Sequence, residues 1–111
     1  MGDPTTEKVR YRPEALTRLM DRLTGLGDPG TLTIEDGRIS FAGKREQLSG
    51  RIVAVDDKIL SSSVNIGMSR SRQYKRWIEV SLESDGQAAK AYFRGRSHKR
   101  LKQALEAAIE S

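Results

Sequence analysis

One histidine and one pair of adjacent aspartates are the residues that general acid–base chemistry would use in this chain. His98 is the only histidine among 111 residues, and Asp56-Asp57 is the aspartate pair. A catalytic histidine needs a nucleophile and an orienting group, and no motif in the sequence supplies them. We therefore interpret His98 as a surface or helix-capping residue. The two aspartates fit a turn better than a paired-carboxylate mechanism, because Asp favours turns. The sequence predicts no enzyme.

Metal and cofactor chemistry lacks the residues it would need. The chain has no cysteine, which excludes disulfides, thiolate metal sites and a cysteine nucleophile. The spacing Gly25-x-Gly27-x-x-Gly30 matches a G-x-G-x-x-G pattern. However, it follows a predicted helix and precedes a predicted strand, which is the reverse of a dinucleotide-binding turn. We expect no metal and no cofactor.

Positive charge is concentrated in one third of the chain. Residues 70–102 contain ten basic and three acidic residues, whereas the whole chain has a net charge of +5. Lysine and arginine neutralise phosphates, and the neighbouring Tyr74 and Trp77 offer aromatic faces for stacking. If the strands on either side of Asp85-Gly86 pair, the two ends of this segment meet in one patch. The alternative is a solvated surface that serves solubility. The predicted ligand-binding residues of this patch are Arg70, Arg72, Lys75, Arg76, Arg94, Arg96, Lys99 and Arg100.

Two hairpins are expected to position these residues. Asp-Gly dipeptides favour tight turns between strands whose apolar residues alternate. The first hairpin is predicted over residues 31–41 around Asp36-Gly37, and the second over residues 77–94 around Asp85-Gly86. The second is expected to bury one apolar face under the C-terminal helix. That face consists of Ile78, Val80, Leu82, Ala89, Ala91 and Phe93.

The remaining strands are predicted between the two hairpins. Alternating apolar residues indicate one strand at about 50–56 and another at about 63–68. The stretch 69–76 has no apolar periodicity and is predicted to be a loop.

Helical periodicity is found near both ends of the chain. Pro13 fits a first helical position, and apolar residues at spacings of three and four predict a helix over 13–24. Asp28-Pro29-Gly30 then reads as a turn. At the other end, Ser97 fits an N-cap for an amphipathic helix over about 98–110. Residues 1–12 are polar and aperiodic, which predicts a loose arm.

The order of these elements predicts an α+β fold. Strands first and one helix last describe an antiparallel β-barrel or strongly bent sheet capped by a C-terminal helix, with a short N-terminal helix. A hydrophobic fraction of 36% and a charged fraction of 32% suit one globular domain. We expect residues 1–29 to form the arm and the short helix, and residues 30–111 to form the domain.

A pattern of turns and apolar spacing runs through residues 30–110. It consists of Gly30-x-Leu32-x-Ile34, Gly37-Arg38-Ile39-Ser40-Phe41, Arg51-Ile52-Val53-x-Val55, Trp77-Ile78-Glu79-Val80-x-Leu82, Asp85-Gly86, Ala91-Tyr92-Phe93 and the C-terminal helix. The pattern resembles the pleckstrin-homology-like (PH-like) superfold in its GRAM and bacterial PH-like versions. The resemblance implies a scaffold that binds phosphoinositides, peptides or partner domains. Lipid-binding members place Lys and Arg around the first hairpin loop, whereas Glu35-Asp36-Gly37 is short and acidic here.

The sequence thus predicts a non-catalytic PH-like binding or interaction module, whose ligand is a protein partner or an anionic phospholipid surface. The alternative is a nucleic-acid-binding domain that uses the basic patch, but the six aromatic residues and the lack of a known motif count against it. No apolar run approaches the ~20 residues of a membrane helix, and we expect a cytoplasmic location. The apolar face of the predicted N-terminal helix would allow homo-oligomerisation.

Overall fold

In the part of the chain that the structure describes, six antiparallel strands form one closed sheet and a helix follows them. A computed structural model of the chain describes residues 5–13, 27–66 and 69–109, with the backbone alone for residues 61–66 and 69–73. The strands are β1 (Thr5–Pro13), β2 (Asp28–Glu35), β3 (Arg38–Gly43), β4 (Gln47–Ile66), β5 (Ser69–Ser84) and β6 (Gln87–Gly95), and the helix is α1 (His98–Ile109). Each strand pairs with the next, and β1 also pairs with β6, which closes the ring. The predicted α+β class with a C-terminal helix is confirmed.

The predicted N-terminal arm is wrong for residues 5–12, which belong to β1. This strand lies between β2 and β6 and pairs with both. Without it, both neighbours would present unpaired backbone edges, which sheets avoid. Pro13 ends β1 as a strand residue, and the rest of the helix predicted over 13–24 lies outside the described residues, as does the self-association surface expected on it.

Both predicted hairpins are confirmed. Asp36-Gly37 joins β2 to β3, and Asp85-Gly86 joins β5 to β6. All four turn residues have positive φ, between 50° and 80°, as a two-residue hairpin turn requires. The first connection of the ring joins β1 to β2. The acidic turn at Glu35-Asp36-Gly37 joins β2 to β3 and is therefore the second connection.

The β4–β5 hairpin is longer than predicted. The expected loop at 69–76 is wrong, since β5 begins at Ser69 and pairs with β4 from the first residue. The two strands predicted at about 50–56 and 63–68 merge into β4 up to Ile66, and the turn expected at Asp56-Asp57 is also strand. In the described register β6 pairs with β5 only from Ile78 to Ser84, so residues 58–66 and 69–77 form a two-stranded ribbon, called the β4–β5 ribbon below. Cross-strand backbone pairing with β4 holds residues 69–76 in a strand without the apolar alternation that the sequence lacks there.

The core lies inside the ring and under α1. The inward residues of β5 and β6 are buried as predicted, except for Ala89, which is exposed near the end of the hairpin. Ser97 caps the helix as predicted, because its Oγ accepts the Arg100 backbone N–H at 3.2 Å. Leu101 and Leu105 then face the core and are at most 1% exposed. The buried cluster comprises Val9, Leu32, Ile34, Ile39, Phe41, Ile52, Ile78, Val80, Leu82, Ala91, Phe93, Leu101, Leu105 and Ala108.

One buried carboxylate fixes the connection between β3 and β4. Asp28, predicted as a turn residue, is the first residue of β2 and is 2% exposed. Its Oδ2 accepts the backbone N–H groups of Arg45 and Glu46, both at 2.9 Å. Because a Cβ at Gly43 would overlap this carboxylate, the residue that ends β3 must be small.

Within the described ranges, no helix is long and apolar enough to cross a membrane.

Candidate functional site

Pairing of β1 with β6 creates a cationic surface on the outside of the ring. Val9, Phe93 and Ile78 point inward and are buried, so their sequence neighbours point outward. In the register, Arg10 lies opposite Arg94. Further outward-pointing residues on β1, β4 and β5, together with one residue just after β6, extend this pair into a surface that we call the basic face. It consists of Lys8, Arg10, Lys58, Lys75, Arg94 and Arg96.

Two shallow depressions on the basic face share arginine side chains. The first, with a volume of about 530 Å³, is lined by Lys8, Arg10, Thr31, Arg94, Arg96 and neighbouring backbone. The second, of about 490 Å³, is lined by Lys75, Arg76, Arg94, Gly95, Arg96 and His98. Among the described residues that line them there is no carboxylate. Both depressions therefore offer an anion a positive potential and hydrogen-bond donors. No carboxylate among their described lining residues competes for those donors.

The basic face carries uncompensated like charges. Like charges directly opposite one another on neighbouring strands are destabilising, and none of the six residues forms an ion pair with another residue that the structure describes. A second like-charged pair, Arg38 and Arg51 on β3 and β4, differs in this respect. There the Arg51 guanidinium contacts Glu83 at 3.2 Å. An anion bound at the basic face would reduce this repulsion between like charges, which no ion pair among the described residues reduces.

Trp77 organises the centre of this surface. It points outward from β5, yet it is only 2% exposed. The guanidinium of Arg12 lies 5.7 Å from the centre of the indole ring, and that of Arg94 lies 5.9 Å from it. Such cation–π contacts hold a planar guanidinium against the ring without neutralising its charge. Trp77 therefore acts as a platform that orients Arg94.

The structure brings together half of the predicted patch. Lys75, Arg76, Arg94 and Arg96 line one depression, so the expected meeting of the two clusters occurs for these residues. Lys99 is exposed on α1, and the Arg100 guanidinium contacts Glu7 at 2.9 Å. Arg70 and Arg72 lie in β5, where only the backbone is described.

Sequence reasoning missed the contribution of β1 and β4. The sequence places Lys8 and Arg10 in the predicted arm and does not indicate Lys58 as part of the patch. A signal for β1 was present, because Lys8, Arg10 and Arg12 alternate with Val9 and Tyr11 at the period of a strand.

A second polar cluster joins α1 to β4. Nε2 of His98 lies 2.7 Å from Oδ1 of Asp57, and Nζ of Lys102 lies 3.1 Å from Oδ2. Hydrogen bonds from His98 first and Lys102 second lower the pKa of the Asp57 carboxyl, and the same carboxylate raises the pKa of Lys102. Both carboxylate oxygens of Asp57 therefore contact α1, so the cluster holds the first turns of the helix against β4. His98 is the first residue of α1, whereas the N-cap is Ser97.

In the part of the chain that the structure describes, no group of three or more His, Asp or Glu side chains is arranged to hold a metal ion.

No protein-family model, no curated protein and no solved structure matches the chain. The function is therefore inferred from the geometry of the basic face.

Proposed function

We propose that the chain is a non-catalytic binding module that docks on an anionic phospholipid surface through the basic face. One observation carries the proposal: Arg10 lies opposite Arg94 at the seam that closes the ring, and neither has an ion-pair partner among the described residues. A protein that keeps such a pair on its surface gains from an external anion. Lipid phosphates supply many such anions in one plane, which matches a face rather than an enclosed pocket.

The charge on this face is sufficient for membrane attraction. A Lys or Arg close to an anionic bilayer contributes roughly 1 kcal/mol, so six residues would strengthen binding by about four powers of ten if all reached the surface. Side-chain ordering and salt screening reduce that figure. The interaction should therefore depend strongly on salt.

A PH-like architecture and a cytoplasmic location belong to the same proposal. The closed antiparallel sheet, its two Asp-Gly hairpins and the C-terminal helix support the PH-like interpretation. A cytoplasmic location would present the module to anionic leaflets, which carry the negative surface potential that basic segments recognise.

The test compares two double charge reversals of equal size. Arg10→Glu with Arg96→Glu alters the basic face, and Arg38→Glu with Lys44→Glu alters exposed cations on β3 and its following turn. Each pair lowers the net charge by four. The probe is sedimentation with phosphatidylcholine vesicles, with and without phosphatidylserine, over a series of salt concentrations.

We expect the wild type to bind only the phosphatidylserine vesicles, with an affinity that falls as salt rises. The basic-face variant should lose about tenfold or more in affinity, because it removes two cations and introduces two repulsive charges near the phosphates. The control variant should lose much less. Equal losses in both variants, or no binding of the wild type at low salt, would refute the proposal. Tighter binding to a single-stranded oligonucleotide than to vesicles would instead favour the nucleic-acid alternative.

A further inference from the structure

The β4–β5 ribbon has two edges whose backbone is unpaired among the described residues. On the side of β4 away from β5, β3 pairs only from Gln47 to Arg51, and no described strand continues along residues 58–66. On the side of β5 away from β4, β6 pairs only from Ile78 onward, so residues 69–77 have no second neighbour in the described register. Each edge offers a row of N–H and C=O groups to an incoming strand.

The described elements leave this ribbon uncovered. Ile59 on β4 and Tyr74 on β5 are each 67% exposed, which places this part of the ribbon outside the packed core. A two-stranded ribbon is marginally stable in water unless further strands or a helix pack on it. A further strand on either edge would stabilise the ribbon through backbone hydrogen bonds.

Charge protects the β5 edge against pairing with a second copy of the chain. Four of the nine residues from 69 to 77 are cationic, namely Arg70, Arg72, Lys75 and Arg76. Antiparallel pairing of this segment with its own copy about the midpoint, Gln73, would place Arg70 opposite Arg76 on both sides of that midpoint. Like charges directly opposite one another are destabilising, and charged residues are a common means by which edge strands avoid association.

The β4 edge has no such protection. Residues 59–66 contain no charged residue. Antiparallel pairing of residues 58–66 with their own copy about the midpoint, Ser62, would place Leu60 opposite Val64 and Lys58 opposite Ile66. No like charges then lie opposite one another, so the composition of this edge favours a second copy as its partner.

We propose that two copies of the chain associate by antiparallel pairing of residues 58–66 of β4, which joins their ribbons into one four-stranded sheet. A twofold axis through Ser62, perpendicular to the sheet, relates the copies, so the interface is closed and association stops at the dimer. Pairing β4 of one copy with β5 of the next would be head-to-tail and would leave an unpaired edge on each copy.

The same axis has a consequence for membrane docking, which rests on the proposed function. A twofold axis perpendicular to the sheet keeps corresponding faces of the two ribbons on the same side. Lys58 lies opposite Trp77 in the register, and Lys75 is two residues from Trp77, so both lie on the outward face of the ribbon. The dimer would therefore present two basic faces to one bilayer.

The test measures mass by sedimentation equilibrium over a range of protein concentrations, without vesicles. The wild type should approach twice the mass of the monomer as its concentration rises. Ser62→Lys places two lysines opposite each other at the twofold axis and should weaken dimerisation by about tenfold or more. Gln73→Lys is the matched control, because Gln73 lies opposite Ser62 in the register and adds the same charge on β5. It should dimerise as the wild type does.

Cysteine cross-linking tests the pairing itself, since the chain has no cysteine of its own. Ser62→Cys should form a disulfide between copies under mild oxidation, because directly opposite residues of an antiparallel pair have Cα atoms about 4.5–5.5 Å apart. Gln73→Cys should not, because three strand spacings of about 4.8 Å would separate the two β5 strands.

The outcomes distinguish this proposal from the basic-face proposal. A wild type that stays monomeric, equal weakening by Ser62→Lys and Gln73→Lys, or growth beyond a dimer would overturn the β4 interface. Vesicle binding by a monomeric wild type would overturn the interface and leave the basic-face proposal intact. Dimerisation with the expected cross-link, but without vesicle binding, would support the interface and refute docking on an anionic membrane.

Discussion

Replacing Asp28 tests whether one buried carboxylate holds β2 to the turn between β3 and β4. Its Oδ2 accepts two backbone N–H groups at 2.9 Å, and its Oδ1 lies 3.4 Å from Nε of Arg45. Asp28→Ala would leave both N–H groups without their acceptor. Asp28→Asn keeps one carbonyl oxygen, which can occupy the Oδ2 position and accept both groups, but it removes the charge and places an amide nitrogen opposite the Arg45 guanidinium.

The expected losses follow from these contacts. A hydrogen bond to a charged group contributes roughly 1.5–3 kcal/mol, so the two short bonds together predict a loss of about 3–6 kcal/mol for Asp28→Ala. For Asp28→Asn we expect about 1–2 kcal/mol, because the bonds persist without the charge. The larger value is a substantial part of the total stability of a domain, which is roughly 5–15 kcal/mol.

Acidification should reduce this advantage of the wild type. Burial raises the pKa of Asp28, but the hydrogen bonds from Arg45 and Glu46 outweigh it, so its pKa lies below the ordinary value of 3.8. A carboxyl with a lowered folded-state pKa stabilises the protein fully above its unfolded-state pKa and loses that contribution as pH falls through the folded-state value. The difference in stability between wild type and Asp28→Asn should therefore be constant near neutral pH and shrink at acidic pH.

Urea unfolding followed by tryptophan fluorescence provides the assay, because the single tryptophan is Trp77 and is 2% exposed. The control is Asp36→Asn, an exposed turn position with a φ of 50° that asparagine also accepts. We expect this control to stay within about 0.5 kcal/mol of the wild type. A loss below about 1 kcal/mol for Asp28→Ala, or a gap to Asp28→Asn that widens on acidification, would refute the reasoning.

Two further predictions concern how α1 is held on the ring. Leu105→Ala should lower the free energy of unfolding by about 2–5 kcal/mol in urea titrations, because Leu105 is fully buried, whereas Ile109→Ala at a 38% exposed position should cost far less. Similar losses in both would show that α1 does not close the core. Asp57→Asn should lower the melting temperature at neutral pH and converge with the wild type in acid, because a carboxyl whose pKa is lowered stabilises the fold fully above its ordinary pKa and loses that contribution as pH falls through the lowered value. A difference that does not vary between neutral and acidic pH would contradict this role of the carboxylate.

Features set by neighbouring residues could be predicted from the sequence. The turn at Asp85-Gly86 depends on two residues that accept positive φ, and the N-cap at Ser97 depends on a hydroxyl three residues before a backbone N–H. The inward face of the second hairpin follows from alternation alone. The prediction is wrong only for Ala89, which is exposed because it lies near the turn of the hairpin, beyond the cover of the core.

Features set by distant pairing could not be predicted. β1 has few apolar residues, and its strand conformation depends on partners in β2 and β6 that no local pattern reveals. Residues 69–76 of the β4–β5 ribbon satisfy their backbone by pairing with β4 and have no apolar alternation, so the sequence alone predicts a loop there. The contact of His98 with Asp57 spans 41 residues and follows from where α1 crosses the end of the ring.

The strand that closes the ring also creates the basic face, and the same alternation does both. Along β1, Val9 and Tyr11 point inward, where Tyr11 packs on Phe41 and Phe93 with ring centres 5.1 Å and 5.6 Å away. The residues between them point outward by necessity, which sets Arg10 against Arg94. Packing on the inner side of the seam stabilises the pairing in spite of repulsion on the outer side. An anion at the basic face would remove that repulsion only in the folded state, so ligand binding and ring closure must reinforce each other.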